Sequence, residues 1–315
     1  MLRLEIPDEV QDELRRGAQI LVSVSGGKDS TATALLLKEN DIDYKAVTMD
    51  TGWEHKILYS YVDNDLPEYI GPITKLRAVV DLPPALEARA KYYEERLGLD
   101  YSPMVRLILL KGLFPSRKKK WCTEALKLIP FQNYTRGLEY DIVSTLGIRA
   151  QESYRRGQMP VVEFSKGHDG YVWRPILRWT YRDVIDIHQR HGVTPCPLYF
   201  APMNAERVGC WPCINSRKGE IMRWSKDELR VSVLAELEEE VMHLQVAKIK
   251  NRGEELELNW QPPAFFYGKG GIGHTPIREA VQWSLGPNTE NQAELFADES
   301  SGCVRWGMCD ARSER

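Results

Sequence analysis

The chain has 315 residues, with 42 Lys plus Arg against 45 Asp plus Glu and a formal net charge of −3. At 43% hydrophobic and 28% charged residues it has a globular composition and a length suited to about two domains. This excludes a disordered chain, a collagen and a histone-like polycation. A net charge averages over all faces, so a local basic channel remains compatible with it.

Met1–Val10 is acidic and lacks the apolar core of a secretory leader, and no stretch approaches the ~20 apolar residues of a membrane span. The expectation is a cytoplasmic protein with no membrane partner. Gln19–Val24 carries β-branched Ile20, Val22 and Val24 and reads as a strand. A glycine-containing turn follows, and Ser30–Lys38 reads as a helix with Ala32, Ala34, Leu35 and Leu36. Tyr44–Met49 and Asp141–Leu146 are further strands, and Pro84–Leu97 is helical. Strands separated by helices predict βαβ units in an α/β, doubly wound, mostly parallel sheet, whose ligands bind at the carboxyl ends of the strands. From about Gly147 turns dominate, with Arg and the indoles of Trp173, Trp179, Trp211 and Trp224 gathered there. Trp173 and Trp179 read as core aromatics. Ser225–Ile249 predicts one long helix, with Leu229, Val233, Leu234, Leu237, Val241, Leu244 and Ala247 at intervals of three and four. Asn251–His274 reads as a loop, Pro276–Leu285 as a last helix, and Pro287–Arg315 as a polar, loosely attached tail.

The most informative stretch is Ser23-Val24-Ser25-Gly26-Gly27-Lys28-Asp29-Ser30, between a strand and a helix. Adjacent glycines let backbone N–H groups approach an anion. The helix N-terminus adds partial positive charge, Ser25 and Ser30 add hydroxyls, and Lys28 adds a point charge. The stretch predicts phosphate binding. It lacks the G-x-x-x-x-G-K-[ST] spacing of a Walker A loop. Asp50 and Glu54 follow the second strand, where carboxylates suit Mg²⁺ or a ribose hydroxyl. Arg149 and Arg155 or Arg156 suit an oxyanion, against the alternative of an ion pair with Glu152. The run Arg117–Lys120 is either a solvated face or a polyanion-binding patch.

The loop resembles the SGGxDS loop of the PP-loop ATP pyrophosphatases, in the adenine nucleotide α-hydrolase superfamily. Five later segments resemble the branch containing phosphoadenylylsulfate (PAPS) reductase: Asp50-Thr51-Gly52-Trp53-Glu54; Trp121-Cys122-Thr123 with Lys127 and Pro130; Gly147-Ile148-Arg149-Ala150-Gln151-Glu152-Ser153 with Arg155; Arg174-Pro175-Ile176 with Trp179-Thr180 and Asp183-Val184; and Pro197-Leu198-Tyr199 with Arg207-Val208-Gly209-Cys210-Trp211-Pro212-Cys213. The resemblance runs in order over about Gln19–Glu220. It implies ATP with Mg²⁺, its β- and γ-phosphates on the Ser25–Ser30 loop, and attack on the α-phosphate. It assigns nucleotide binding to Ser23, Ser25, Gly26, Gly27, Lys28, Asp29, Ser30, Asp50, Thr51, Gly52, Gly147, Arg149 and Arg155, and catalysis to Lys28, Asp29 and Arg149. The chain then divides into a nucleotide-binding α/β domain over 1–147, a substrate and cysteine-bearing region over 148–224, and a helical extension with a polar tail over 225–315.

Six cysteines in 315 residues are too sparse for a disulfide scaffold. Cys122, Cys196, Cys210 and Cys213 come from three separated segments and can close a four-cysteine site for iron–sulfur or zinc. The resemblance points to a [4Fe–4S] cluster. Adenylylsulfate reductases hold theirs with a cysteine pair where this chain has Cys122 alone, so Cys196 is the expected fourth ligand. Cys303 and Cys309 lie in the tail, without the Glu-Cys-Gly setting of thiol-dependent reductases. The cysteine set is closest to that of the iron–sulfur ATP pyrophosphatases of DNA phosphorothioation. The resemblance thus implies ATP-dependent sulfur transfer that forms AMP and pyrophosphate, with a cysteine desulfurase or another sulfur donor as partner and DNA as a candidate acceptor. The alternatives are a sulfonucleotide reductase producing sulfite and a non-catalytic nucleotide-sensing module.

Overall fold

The structure is a computed structural model that describes residues 4–167, 169–267, 274–286 and 306. The tail expected over Pro287–Arg315, with Cys303 and Cys309, lies outside the described residues apart from Trp306. Six strands form one sheet: β1 (Gln19–Ser23), β2 (Tyr44–Asp50), β3 (Ile73–Arg77), β4 (Ile142–Leu146), β5 (Val162–Ser165) and β6 (Gly170–Trp173). Their order is β3-β2-β1-β4-β6-β5. Every neighbouring pair is parallel except the antiparallel β5–β6 pair at one edge. The fold is therefore α/β, with a mostly parallel sheet. The sheet continues past Gly147, because β6 pairs with β4, Val143 lying opposite Tyr171.

Alternation along the central strands decides which face each side chain enters. Ile20, Val22, Ala46 and Val143 point into the main core, with Ala32, Leu35 and Leu36 of the helix Lys28–Glu39 and Val184 and Ile187 of the helix Tyr181–Arg190. Leu21, Val47 and Ile142 point the other way, onto Leu76 and Phe131. Strands buried on both faces read as continuous apolar runs, which is why Gln19–Val24 was conspicuous in the sequence. The helix Tyr181–Arg190 is held at its start by Thr180, whose hydroxyl accepts from the Asp183 amide while the Asp183 carboxylate accepts from the Thr180 amide.

A second core lies around the long helix, which runs Glu228–Asn251. Asp227 caps it by accepting from the Arg230 amide at 3.1 Å. Val233, Leu234, Leu237 and Val241 pack with Trp53, Trp211, Trp224, Phe265 and the helices Pro84–Leu97 and Pro103–Lys111. The expected loop Asn251–His274 contains β7 (Phe266–Tyr267), which pairs antiparallel with β8 (His274–Thr275). The last helix is Ile277–Ser284. None of the described helices is long and apolar enough to cross a membrane.

Candidate functional site

Chain order and sheet order part company between β1 and β4. From β1 the chain builds outward to β2 and β3, then returns to place β4 on the other side. Such a switch point opens a crevice at the carboxyl ends of the two strands. The loop after β1 holds Ser25–Lys28, and the loop after β4 holds Gly147–Arg149. The two touch so closely that a Cβ on Gly147 would sit 2.6 Å from the carbonyl carbon and oxygen of Asp29 and from the Ser30 Cα. Only glycine admits that approach.

The phosphate loop is shaped before any ligand arrives. Gly26 has φ +70°, a conformation that L side chains rarely adopt. The Ser25 amide donates to the Ser30 hydroxyl at 3.1 Å, and that hydroxyl donates to the Gly27 carbonyl at 3.0 Å. The Lys28 amide donates to the Tyr199 hydroxyl at 3.0 Å. Among the described residues the amides of Gly26 and Gly27 have no acceptor, as an anion-cradling loop requires.

Cations and one carboxylate converge here. Arg149 is 5% exposed and pairs with Asp29. Lys28 lies 3.6 Å from the same carboxylate and donates from Nζ to the Glu206 carbonyl at 3.1 Å. Its ammonium sits 5.8 Å and 5.6 Å from the ring centroids of Tyr181 and Tyr199. Burial pulls Lys28 below the usual lysine range, with Asp29 opposing and Arg149 reinforcing. Arg156 pairs with Glu152, whereas Arg155 is exposed and has no ion-pair partner among the described residues. Trp173 is fully buried and Trp179 packs on the main core.

Asp50 is occupied differently from its expected role. Its Oδ1 accepts from the Gly52 amide at 2.9 Å, and its Oδ2 accepts from Arg77 Nε and Nη2 at 2.9 and 2.6 Å. The Tyr59 hydroxyl lies 3.1 Å from Oδ1 and 2.7 Å from Glu54 Oε2. Glu54 also accepts from Thr51 Oγ1 at 2.6 Å and from the Trp53 amide at 3.2 Å. A carboxylate offers about four lone-pair sites, so little of either remains for a metal. These residues hold the turn after β2 and do not fit Mg²⁺ as arranged.

That turn is tied to the paired cysteines. Glu54 bridges Cys210, the Trp211 amide donates to the Trp53 carbonyl at 3.0 Å, and Trp53 Nε1 donates to the Pro212 carbonyl at 2.9 Å. Lys127 is held above the usual lysine range, first by Cys210 and then by Glu54, Cys213 and Cys122, against its burial. Burial pushes the Cys210 thiol to about 12 and raises Cys122. Cys196 does not join them. It is 1% exposed in the main core beneath the sheet, because Leu198 and Tyr199, at 0% and 2%, anchor its segment there. Burial pushes its thiol to about 12 as well. Among the described residues no three His, Cys, Asp or Glu are arranged to hold a metal ion. The expected set of Cys122, Cys196, Cys210 and Cys213 is therefore not brought together as a [4Fe–4S] site: Cys122, Cys210 and Cys213 pack against the second core and Cys196 belongs to the main one.

Sequence reasoning missed Tyr199, Tyr181 and Lys127 as parts of the site. Tyr199 and Lys127 lie within the segments that carry the family resemblance, but nothing in the sequence tied Tyr199 to Lys28 across 171 positions. It also missed Trp306, 2% exposed, whose ring packs edge-on against His188 and Tyr199 at 5.0 and 5.3 Å and whose carbonyl accepts from Gln189.

Residues 19–216 match the family model of the phosphoadenosine phosphosulfate reductase domain. An uncharacterised 37.8 kDa protein of Escherichia phage 186 is 34% identical over 248 residues, covering 67% of this chain and 73% of that one. An uncharacterised protein of Methanocaldococcus jannaschii is 28% identical over 210 residues, 65% of this chain, but the match spans only 43% of that longer protein. Among solved structures, the PAPS reductase of Candida auris in its phosphate complex is similar at 13% identity and a TM-score of 0.44, over 64% of this chain and 87% of that one.

Proposed function

The chain belongs to the phosphoadenosine phosphosulfate reductase domain family, and from that premise we propose that it is an ATP-dependent sulfur-transfer enzyme forming AMP and pyrophosphate. The observation that carries the reading is the intact Ser25–Ser30 loop at the sheet's switch point, with Lys28 and Arg149 beside its free glycine amides. A loop with two open amides, a helix N-terminus and two cations suits the β- and γ-phosphates of ATP. A sulfonucleotide has no such pyrophosphate to grip.

In this reading an acceptor oxygen attacks the α-phosphorus, the α–β phosphoanhydride breaks, and pyrophosphate leaves with the bonding electron pair. Lys28 and the loop amides stabilise the charge that develops on the leaving oxygen. Asp29 holds Arg149 and Lys28 in position rather than meeting the phosphates, since it is already paired with both. A sulfur nucleophile then attacks the adenylated centre, and AMP departs carrying the acceptor's oxygen. The acceptor class that suits this chemistry is an oxyanion such as a nucleic-acid backbone phosphate, and the sulfur donor is a persulfide of the kind a cysteine desulfurase supplies, whose terminal sulfur bonds to phosphorus; a second thiol then breaks the S–S bond, forming a disulfide with the donor cysteine and leaving the terminal sulfur on the acceptor. Nucleotide products decide the matter: ATP turnover yields pyrophosphate and AMP in equal amounts, whereas sulfite from PAPS without ATP turnover would remove the reading.

A further inference from the structure

A cavity of about 1150 Å³ opens between the segment Leu113–Lys119, the start of the helix Lys218–Trp224, and the last helix, Ile277–Ser284. It shares no residue with the phosphate loop. Its wall carries Arg117, Lys118, Lys119, Arg217 and Lys218. None of the five is ion-paired among the described residues, and Glu279 is the one carboxylate lining the cavity there. A chain of net charge −3 thus concentrates five unpaired cations on one concave surface.

The basic segment has a definite shape. The Ser116 amide donates to the Lys119 carbonyl at 3.1 Å, and the Lys119 amide donates to the Ser116 hydroxyl at 3.0 Å. This closes a turn whose two central residues are Arg117 and Lys118, so their side chains project from its tip. Across the cavity stand two indoles, Trp260 and Trp283. Trp283 is 49% exposed, and Lys218 Nζ lies 5.2 Å from its ring centroid. A tryptophan half open to water on a cationic wall is not a core residue.

We infer that this cavity binds single-stranded nucleic acid. Unpaired cations track a phosphodiester backbone, and the half-exposed indole of Trp283, with Trp260 partly buried beside the same cavity, offers a surface on which unpaired bases stack. A duplex buries its base faces and could use the charges only. The volume exceeds the ~300–1,000 Å³ of a drug-sized pocket, leaving room for two or three nucleotides. The chain also ties the cavity to the cysteines, because Lys119 lies three positions before Cys122 and Ser216 three after Cys213. The site stands on the cavity itself, and only the fate of the bound strand, as the acceptor, rests on the function proposed above.

The test is fluorescence anisotropy of a labelled oligothymidylate of about twelve nucleotides, titrated with the full chain without ATP at several salt concentrations. Two to three neutralised phosphates give a log–log salt slope of about −1.4 to −2.1. Combined Lys118→Glu and Lys218→Glu substitutions weaken binding tenfold or more, Trp283→Ala weakens it about fivefold or more, and both variants keep their melting temperatures and their affinity for ATP. A duplex of equal length binds more weakly than the single strand. Binding without salt dependence, binding unchanged in these variants, or a duplex bound as well as the single strand would overturn the proposal. A protein that binds the strand but releases no pyrophosphate from ATP keeps the cavity assignment and removes the catalytic one. The reverse result does the opposite.

Discussion

Replacing Gly147 with Ala tests the geometry of the nucleotide crevice at its narrowest point. The added Cβ would meet the Asp29 carbonyl carbon, the Asp29 carbonyl oxygen and the Ser30 Cα, all at 2.6 Å, where ordinary contact begins at 3.4 Å. All three are backbone atoms of the first helical turn, so no rotamer relieves the clash. The loop after β4 and the start of the helix Lys28–Glu39 must separate by about 0.8 Å in a densely packed region. Overpacking of this kind costs about 1–3 kcal/mol, a fall in melting temperature of about 2–6 °C for a chain of this size. The effect on ATP should exceed the effect on stability. The shift pulls Arg149 from Asp29 and displaces the loop amides, and misplacement of about 1 Å at a reacting centre costs on the order of 100-fold. Gly157→Ala is the control, since its Cβ would find the Ala150 carbonyl oxygen at 3.7 Å and should change stability by less than about 0.5 kcal/mol. Thermal melts and ATP titration of both variants give the answer. A Gly147→Ala protein with unaltered melting temperature and ATP affinity would refute the contact between the two loops.

Lys28→Met keeps the buried stem and removes the charge. It should cut kcat/KM for ATP by about 100- to 1000-fold without lowering the melting temperature. Tyr199→Phe removes the acceptor of the Lys28 amide and should cost about 1–3 kcal/mol, visible as weaker ATP binding together with a lower melting temperature. Cys196→Ala should lower stability and leave the iron content of anaerobically purified protein unchanged, whereas iron loss in that variant would restore the four-cysteine site. Glu238 accepts from the amides of Phe265 and Ile277, and burial pushes its carboxyl to about 7. The folded protein therefore holds a proton between the ordinary glutamate value of 4.5 and about 7 that the unfolded chain has lost. The stability this contributes is complete below pH 4.5 and declines as pH rises through 7, by an amount on the order of 3 kcal/mol. Glu238→Gln cannot titrate, and melts between pH 5 and 8 should show that decline flattened.

The parallel centre of the fold was legible because Gln19–Val24, Tyr44–Met49 and Asp141–Leu146 are apolar runs, and the phosphate loop because its residues are consecutive. The edges were not. In β3 (Ile73–Arg77) and β5 (Val162–Ser165) half or more of the residues face water, and such short mixed strands have no strong period. Residues joined only through the fold were illegible too. Lys28 meets Tyr199 and Glu206 through contacts that linear spacing does not record. Cys196 shows the opposite error. Chain order set it beside Cys210 and Cys213, yet two anchoring residues, Leu198 and Tyr199, carried it into the other core. Asp50 was recognised by its place at a strand end, but the sequence did not reveal that Arg77, on the neighbouring strand, would take its carboxylate.

The central claim is that the Ser25–Ser30 loop handles the pyrophosphate of ATP. Incubating the purified chain with ATP, an oligonucleotide acceptor and a persulfide donor, and separately with PAPS and a dithiol reductant, and quantifying pyrophosphate, AMP and sulfite, tests it most directly. Equal amounts of AMP and pyrophosphate are expected from ATP, lost in Lys28→Met, and no sulfite from PAPS. Sulfite from PAPS with ATP left intact, or ADP and phosphate in place of AMP and pyrophosphate, would contradict it.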